Sequence, residues 1–212
     1  MDKIIIHTYP ARLWYVKKYL IPSLIAQGAK NIIIANDKYH VGNLLSFVMS
    51  LKDCGDAWHL QDDVIVCSNF IERIKTYDGL CCGFVASNFD YHQKITGEVK
   101  PASMWFSFPC IRIPGSIAEH FYNWFYSEDY SKRYQKMINS GKMDDLVFIE
   151  FLKDFYPDMK VINIKPNLID HIDYLIGGSV ANQGRRGIVK AFYFEEPELV
   201  EELKQKLARE EH

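Results

Sequence analysis

Three short, mainly apolar runs separated by two stretches of helical spacing constrain this chain most. They are Ile4-Ile5-Ile6, Ile32-Ile33-Ile34-Ala35 and Ala57-Trp58-His59-Leu60. A strand that is apolar at every position has two faces to bury, which fits parallel strands covered by helices on both sides. Between the first two runs, Leu13, Val16, Leu20, Leu24 and Ile25 recur at helical spacing after Pro10, and Gly28 closes that helix. Pro22 inside it predicts a kink or a division. Between the second and third runs, Gly42 to Cys54 carries Leu44, Leu45, Val48 and Leu51 on one face. The alternation predicts an α/β fold with a mostly parallel central sheet flanked by helices.

Further along, Ser68 or Asn69 caps a helix running to Lys75, and Leu80 to Ala86 reads as a fourth strand. Asn88 to Pro101 is polar and irregular, and Ser103 to Ile113 is an aromatic-rich strand pair or edge strand. Pro114-Gly115-Ser116 opens a helix, and another is expected over Tyr130 to Asn139. Asp144-Asp145 start a helix to Phe155 with Val147, Phe148, Phe151 and Leu152 as its apolar stripe. Lys160 to Ile164 is a late strand, and Glu196 to Glu211 a charged terminal helix. No repeat or linker divides the 212 residues, so one domain is expected, with 1–87 and 88–179 as its halves and 180–212 as a basic loop and helix.

A hydrophobic content of 48% excludes a disordered chain, and a net charge of −2 argues against a globally basic nucleic-acid binder. No apolar stretch is long enough for a transmembrane segment, and Met1-Asp2-Lys3 runs directly into a strand without a secretory signal. The five cysteines form neither a paired framework nor a zinc grid; Cys81 and Cys82 read as small buried hydrophobes. A cytoplasmic location is the expectation.

The third strand stops at Gln61-Asp62-Asp63. In open parallel sheets, ligands bind outside the carboxyl ends of the strands. Two adjacent carboxylates there repel unless a cation or hydrogen-bond donors compensate. Mg²⁺ or Mn²⁺ would do so and would also hold a diphosphate. The alternative is a surface turn in which one aspartate caps the following helix.

From these residues onward the chain resembles the GT-A-type glycosyltransferases. The likeness rests on the strand order, on Asp37 and Gly42-Asn43, and on Gln61-Asp62-Asp63-Val64, which stands where that family carries an acidic metal motif. Gly141-Lys142-Met143-Asp144-Asp145 is similar to the family's segment supplying the catalytic base. Leu168-Ile169-Asp170-His171-Ile172 resembles the late segment whose histidine completes the metal site. The likeness runs to about Ser179, and it departs from the family at Gln61, where an acid is often found.

The resemblance implies a GT-A-like nucleotide-diphospho-sugar transferase fold and a nucleotide-sugar donor, by default a UDP-sugar. It implies Mn²⁺ or Mg²⁺ held by Asp63 and His171, with Asp62 bonding the ribose or a metal-bound water. Asp145 is the expected base, which would typically contribute about 10²–10⁴-fold, and Asp144 caps the helix or orients the acceptor. Attack by such a base inverts the anomeric centre. His7, Thr8 and Arg12 are expected around the base and ribose with Asp37, and Asn43 either contacts the donor or caps its helix. Arg185, Arg186 and Lys190 form either a loop over the diphosphate or a solvated basic turn. Trp105, Phe106 and Phe108 are stacking groups or core. The acceptor is a glycan, a small molecule or a modified DNA base. The other readings are a nucleotidyltransferase, although His7 to Arg12 lacks the expected glycine-rich loop, and a non-catalytic nucleotide-sugar-binding module.

Overall fold

The computed structural model of the chain describes residues 3–36, 44–85, 97–100, 109–127, 144–177, 191 and 194–210. The first isoleucine run forms β1 (Lys3–Thr8), which pairs in parallel with β2 (Ile32–Asn36) on one side and β3 (Ala57–Gln61) on the other. Beyond the short β4 (Val64–Val66) come β5 (Leu80–Cys82), β6 (Gly97–Val99), β7 (Cys110–Ile113), β8 (Val161–Asn163) and β9 (Ile169–His171). The central sheet has seven strands in the order β2-β1-β3-β7-β5-β8-β6, and β4 and β9 form a separate two-stranded ladder. β2, β1, β3, β5 and β8 run one way, and β7 and β6 the other. The expected mixed α/β architecture with a mostly parallel sheet is what the chain adopts.

Strand alternation divides the core in two. Ile4 and Ile6 join Trp58 and Leu60 in one cluster, and Ile5 joins Ala57, Phe47 and Ile111 in the other. Each fully buried isoleucine contributes about 1.5–3 kcal/mol of transfer free energy, so β1 is well placed as a central strand. β2 differs from expectation. It lies at the sheet edge, and Ile33 and Ile34 are 42% and 37% exposed rather than covered on both faces. β7 differs the other way: its segment was expected at an edge or in a strand pair, but it sits between β3 and β5 in the middle of the sheet.

The helix after β1 is divided as Pro22 predicts. α1 (Leu13–Tyr15) passes into a π-wound turn (Val16–Leu20), and α2 (Ile21–Ala26) follows. Proline lacks an N–H and its ring crowds the carbonyl four residues earlier, so the backbone there widens, and the Ile21 N–H bonds the Val16 carbonyl. Gly28, at φ +91°, ends α2 with the Ala29 N–H returning to the Leu24 carbonyl at 3.0 Å.

α3 (Leu44–Leu51) leads into β3, and α4 (Phe70–Ile74) follows β4. α5 (Gly115–Phe125) and α6 (Asp144–Phe155) pack together through Phe121, Phe148 and Phe151. The predicted stripe Val147, Phe148, Phe151 and Leu152 is fully buried. The first turn of α5 is held from a distance, because Asp56 accepts a 2.8 Å hydrogen bond from the Gly115 N–H. α7 (Asp173–Ile176) follows β9, and α8 (Pro197–Glu210) covers the first cluster with Val200 and Leu203. The five cysteines are free and buried. No helix among the described residues is long and apolar enough to cross a membrane.

Candidate active site

The chain leaves β1 toward β2 on one side and reaches β3 on the other, so the sheet order reverses beside β1. In open α/β sheets such a reversal is where ligands bind, outside the carboxyl ends of the strands, here those of β1 and β3. The β1 end supplies Thr8 and, one turn later, Arg12; the β3 end supplies Asp62 and Asp63. Both aspartates are buried, at 3% and 6% exposure, so the surface-turn alternative does not hold.

β4 carries the chain on from Asp63, and its pairing with β9 is antiparallel with Val64 opposite His171. The Ile172 N–H bonds the Asp63 carbonyl at 2.8 Å and locks that register. The ladder delivers the His171 ring to the Asp63 carboxylate, with Nε2 3.3 Å from Oδ2. The other ring nitrogen, Nδ1, lies 3.4 Å from Asp173 Oδ1. Asp170 accepts hydrogen bonds from the His171 and Ala191 N–H groups at 2.8 and 2.5 Å, which fixes the turn that presents the ring.

Arg12 supplies the compensating charge. Its Nη1 donates to Asp62 Oδ1 at 3.0 Å and to Asp63 Oδ2 at 2.5 Å, and its Nε donates to the Gly177 carbonyl at 2.9 Å. The guanidinium is only 5% exposed and lies 5.6 Å from the centre of the Tyr9 ring. Around it, Tyr15 donates to the Val64 carbonyl at 2.8 Å.

The electrostatics follow from burial set against these contacts. For Asp62, burial and the neighbouring Asp63 outweigh Arg12 and Thr8 and push its carboxyl up to about 6. Burial also opposes ionisation of Asp63, but His171 and Arg12 overcome it and hold this carboxyl well below the usual range. His171 loses proton affinity to burial and regains more from Asp63 and Asp173, so it is pushed up to about 10.

These residues fit a divalent cation. Asp63 Oδ1 is buried without a hydrogen-bond partner, and His171 Nε2 faces the Asp63 carboxylate, with Asp173 Oδ1 3.4 Å from Nδ1 on the other side of the ring. A carboxylate behind a histidine is the usual support for a metal-ligating ring. Among the described residues no three His, Cys, Asp or Glu side chains form a ready cage. One or two protein ligands with phosphate oxygens completing the shell is nonetheless a common way to hold Mg²⁺.

On the opposite face of the same strand ends, His7 and His59 stack with ring centres 5.2 Å apart. His7 Nε2 and His59 Nδ1 share one hydrogen bond at 2.9 Å, and Phe47 packs edge-on against both rings. Burial lowers His7 to about 4; burial, then His7, hold His59 well below its usual value.

Of the residues expected at the site, His7, Thr8, Arg12, Asp62, Asp63 and His171 are described. Arg12, Asp62, Asp63 and His171 share one cluster; Thr8 is buried at the end of β1, its hydroxyl donating to the Tyr9 carbonyl, and His7 turns to the other face. The α6 backbone starts at Asp144 as expected, but the side chains of Asp144 and Asp145 lie outside the described residues. So do Asp37, Asn43, Arg185, Arg186 and Lys190, and Trp105, Phe106 and Phe108. The sequence reading missed Asp173 and the Arg12 bridge. The signals available were a carboxylate two residues beyond His171 and a cation one turn beyond the neighbouring strand end.

No family model and no curated protein matches the chain. Among solved structures it is similar to the CTP:phosphocholine cytidylyltransferase from Streptococcus pneumoniae, at 15% identity and TM-score 0.47, over 81% of this chain and 93% of that one. It is similar to A197 from STIV at 15% identity and TM-score 0.47, over 80% and 85% of the two chains. A glycosyltransferase involved in glycosylation of the major capsid of PBCV-1 is matched at 11% identity and TM-score 0.41, over 78% and 83%.

Proposed function

We propose that the chain is a metal-dependent glycosyltransferase that moves a sugar from a nucleoside diphosphate donor, by default a UDP-sugar, to an acceptor hydroxyl. The observation that carries this reading is the meeting of Asp63 and His171 beside Asp62 at the sheet's reversal point. Asp63 and His171 would hold Mn²⁺ or Mg²⁺. The bound ion supplies Lewis-acid stabilisation of the departing diphosphate. Asp173 keeps the His171 ring oriented, and the shallow exposure of the cluster limits competing water. Asp62 bonds the donor ribose, and Asp145, at the start of α6, accepts the acceptor's proton as the hydroxyl attacks, inverting the anomeric centre.

A thermal-shift panel of UDP, UDP-sugars, CTP and CDP derivatives with and without Mn²⁺ tests the donor assignment. A ligand at about 100 times its dissociation constant adds roughly 2.7 kcal/mol of stability. UDP is expected to stabilise the protein only with the metal, and Asp63→Ala to lose the effect. Asp145→Asn is expected to retain UDP binding and lose transfer. A metal-dependent response confined to CTP would replace the glycosyl reading with nucleotidyl transfer.

A further inference from the structure

The acidic pair already has a cation on it. Arg12 Nη1 bridges Asp62 Oδ1 and Asp63 Oδ2, and Asp63 Oδ2 is the same oxygen that faces His171 Nε2. A divalent ion between Asp63 and His171 therefore meets the guanidinium on a ligand oxygen. The guanidinium is not fully satisfied: Nη2 is buried without a hydrogen-bond partner, while Nε donates to the Gly177 carbonyl, just beyond α7. Its backbone is the N-cap of α1, with the carbonyl accepting from the Tyr15 and Val16 N–H groups, so any movement of the guanidinium falls to the side-chain torsions.

Resting on the metal-dependent reading above, we propose that Arg12 is an internal counter-ion which competes with the divalent cation for Asp63. It keeps the buried carboxylates compensated in the metal-free protein, and it must swing off Asp63 Oδ2 when the metal binds. Arg12 thereby sets the metal affinity of the site, and the displaced guanidinium, a planar five-donor fork, is released beside the place where a diphosphate would lie. A merely structural arginine would behave differently, because its removal would lower metal affinity along with the order of the site.

Titration of Mn²⁺ into the full chain, followed by calorimetry and by the thermal midpoint, tests this without any activity measurement. Arg12→Ala is expected to bind Mn²⁺ at least 10-fold more tightly than the wild type, with a lower metal-free midpoint that Mn²⁺ restores. Arg12→Gln keeps hydrogen-bond donors without the charge, folds where the alanine variant fails, and is expected to show the same tightening. Equal or weaker Mn²⁺ binding in Arg12→Gln, with the wild type binding normally, overturns the competition. Absence of Mn²⁺ binding in the wild type and in both variants overturns the metal site itself, and the competition with it.

Discussion

His7 is buried and His171 nearly so, its side chain 12% exposed; they lie one beside each core cluster, and their proton affinities move in opposite directions. His171 faces Asp63 and Asp173 and is pushed up to about 10; His7 faces His59 and Phe47 and is lowered to about 4. Burial disfavours the charged ring in both places, so the neighbours decide the outcome. One face of the strand ends carries a self-compensated ionic cluster, and the other a neutral pair sharing one hydrogen bond. The cation exchange proposed for Arg12 requires the first kind.

The largest expected effect breaks the ionic side. Asp63→Asn leaves Arg12 and His171 facing a neutral amide in a buried setting, and removing one partner of such a cluster costs about 3–5 kcal/mol. Denaturant unfolding at pH 7 measures it, and a loss below about 1 kcal/mol would mean that the cluster is solvated, as exposed pairs are.

The next effect sharpens the contrast through pH. His7 and His59 have lowered folded affinities, so the unfolded chain binds more protons as pH falls from about 6.5 towards 4, and each group removes up to about 1.4 kcal/mol per pH unit. Asp62, raised to about 6, acts oppositely over part of that range, one group against two. His171 contributes stability fully below about 6.5 and loses it as pH rises towards 10. Unfolding midpoints across pH 4–10 are therefore expected to fall on both sides. Replacing His7 and His59 together by leucine should flatten the acid side alone. An unchanged acid slope would remove the neutral pair from the comparison.

The smallest effect is the control. Lys100 and Asp158 meet at 2.6 Å but are 63% and 85% exposed, and Lys100→Ala is expected to leave the unfolding midpoint unchanged. A measurable shift would show that exposure does not separate the two classes of ion pair.

Much of this fold is written locally. The Ile4–Ile6 run, the Pro22 break, Gly28 and the α6 stripe are read from spacing because each depends on neighbours within a few turns. The β4–β9 ladder is not: each strand has three residues, and the partner of Val64 lies roughly a hundred residues away, beyond any periodicity signal. Asp63 and His171 were placed together through the family likeness alone, and the ladder is the physical device that joins them. Arg12 was read as a donor contact because its position at a strand end is visible in the sequence, whereas the direction of its side chain is decided by carboxylates on the adjacent strand. Leu80 to Ala86 is expected as one long strand, but β5 ends at Cys82; the Gly83 N–H still bonds the Cys110 carbonyl, and a methyl added at Gly83 would lie 2.6 Å from the Cys110 sulfur.

The separation along the chain between β4 and β9 also sets an order of assembly. During synthesis the two aspartates emerge soon after Arg12, whereas the segment bearing His171 leaves the ribosome roughly a hundred residues later. The nascent protein therefore meets its acidic residues with a built-in arginine at hand long before the imidazole arrives, and the Arg12–Asp63–His171 cluster is complete only when its final third has docked.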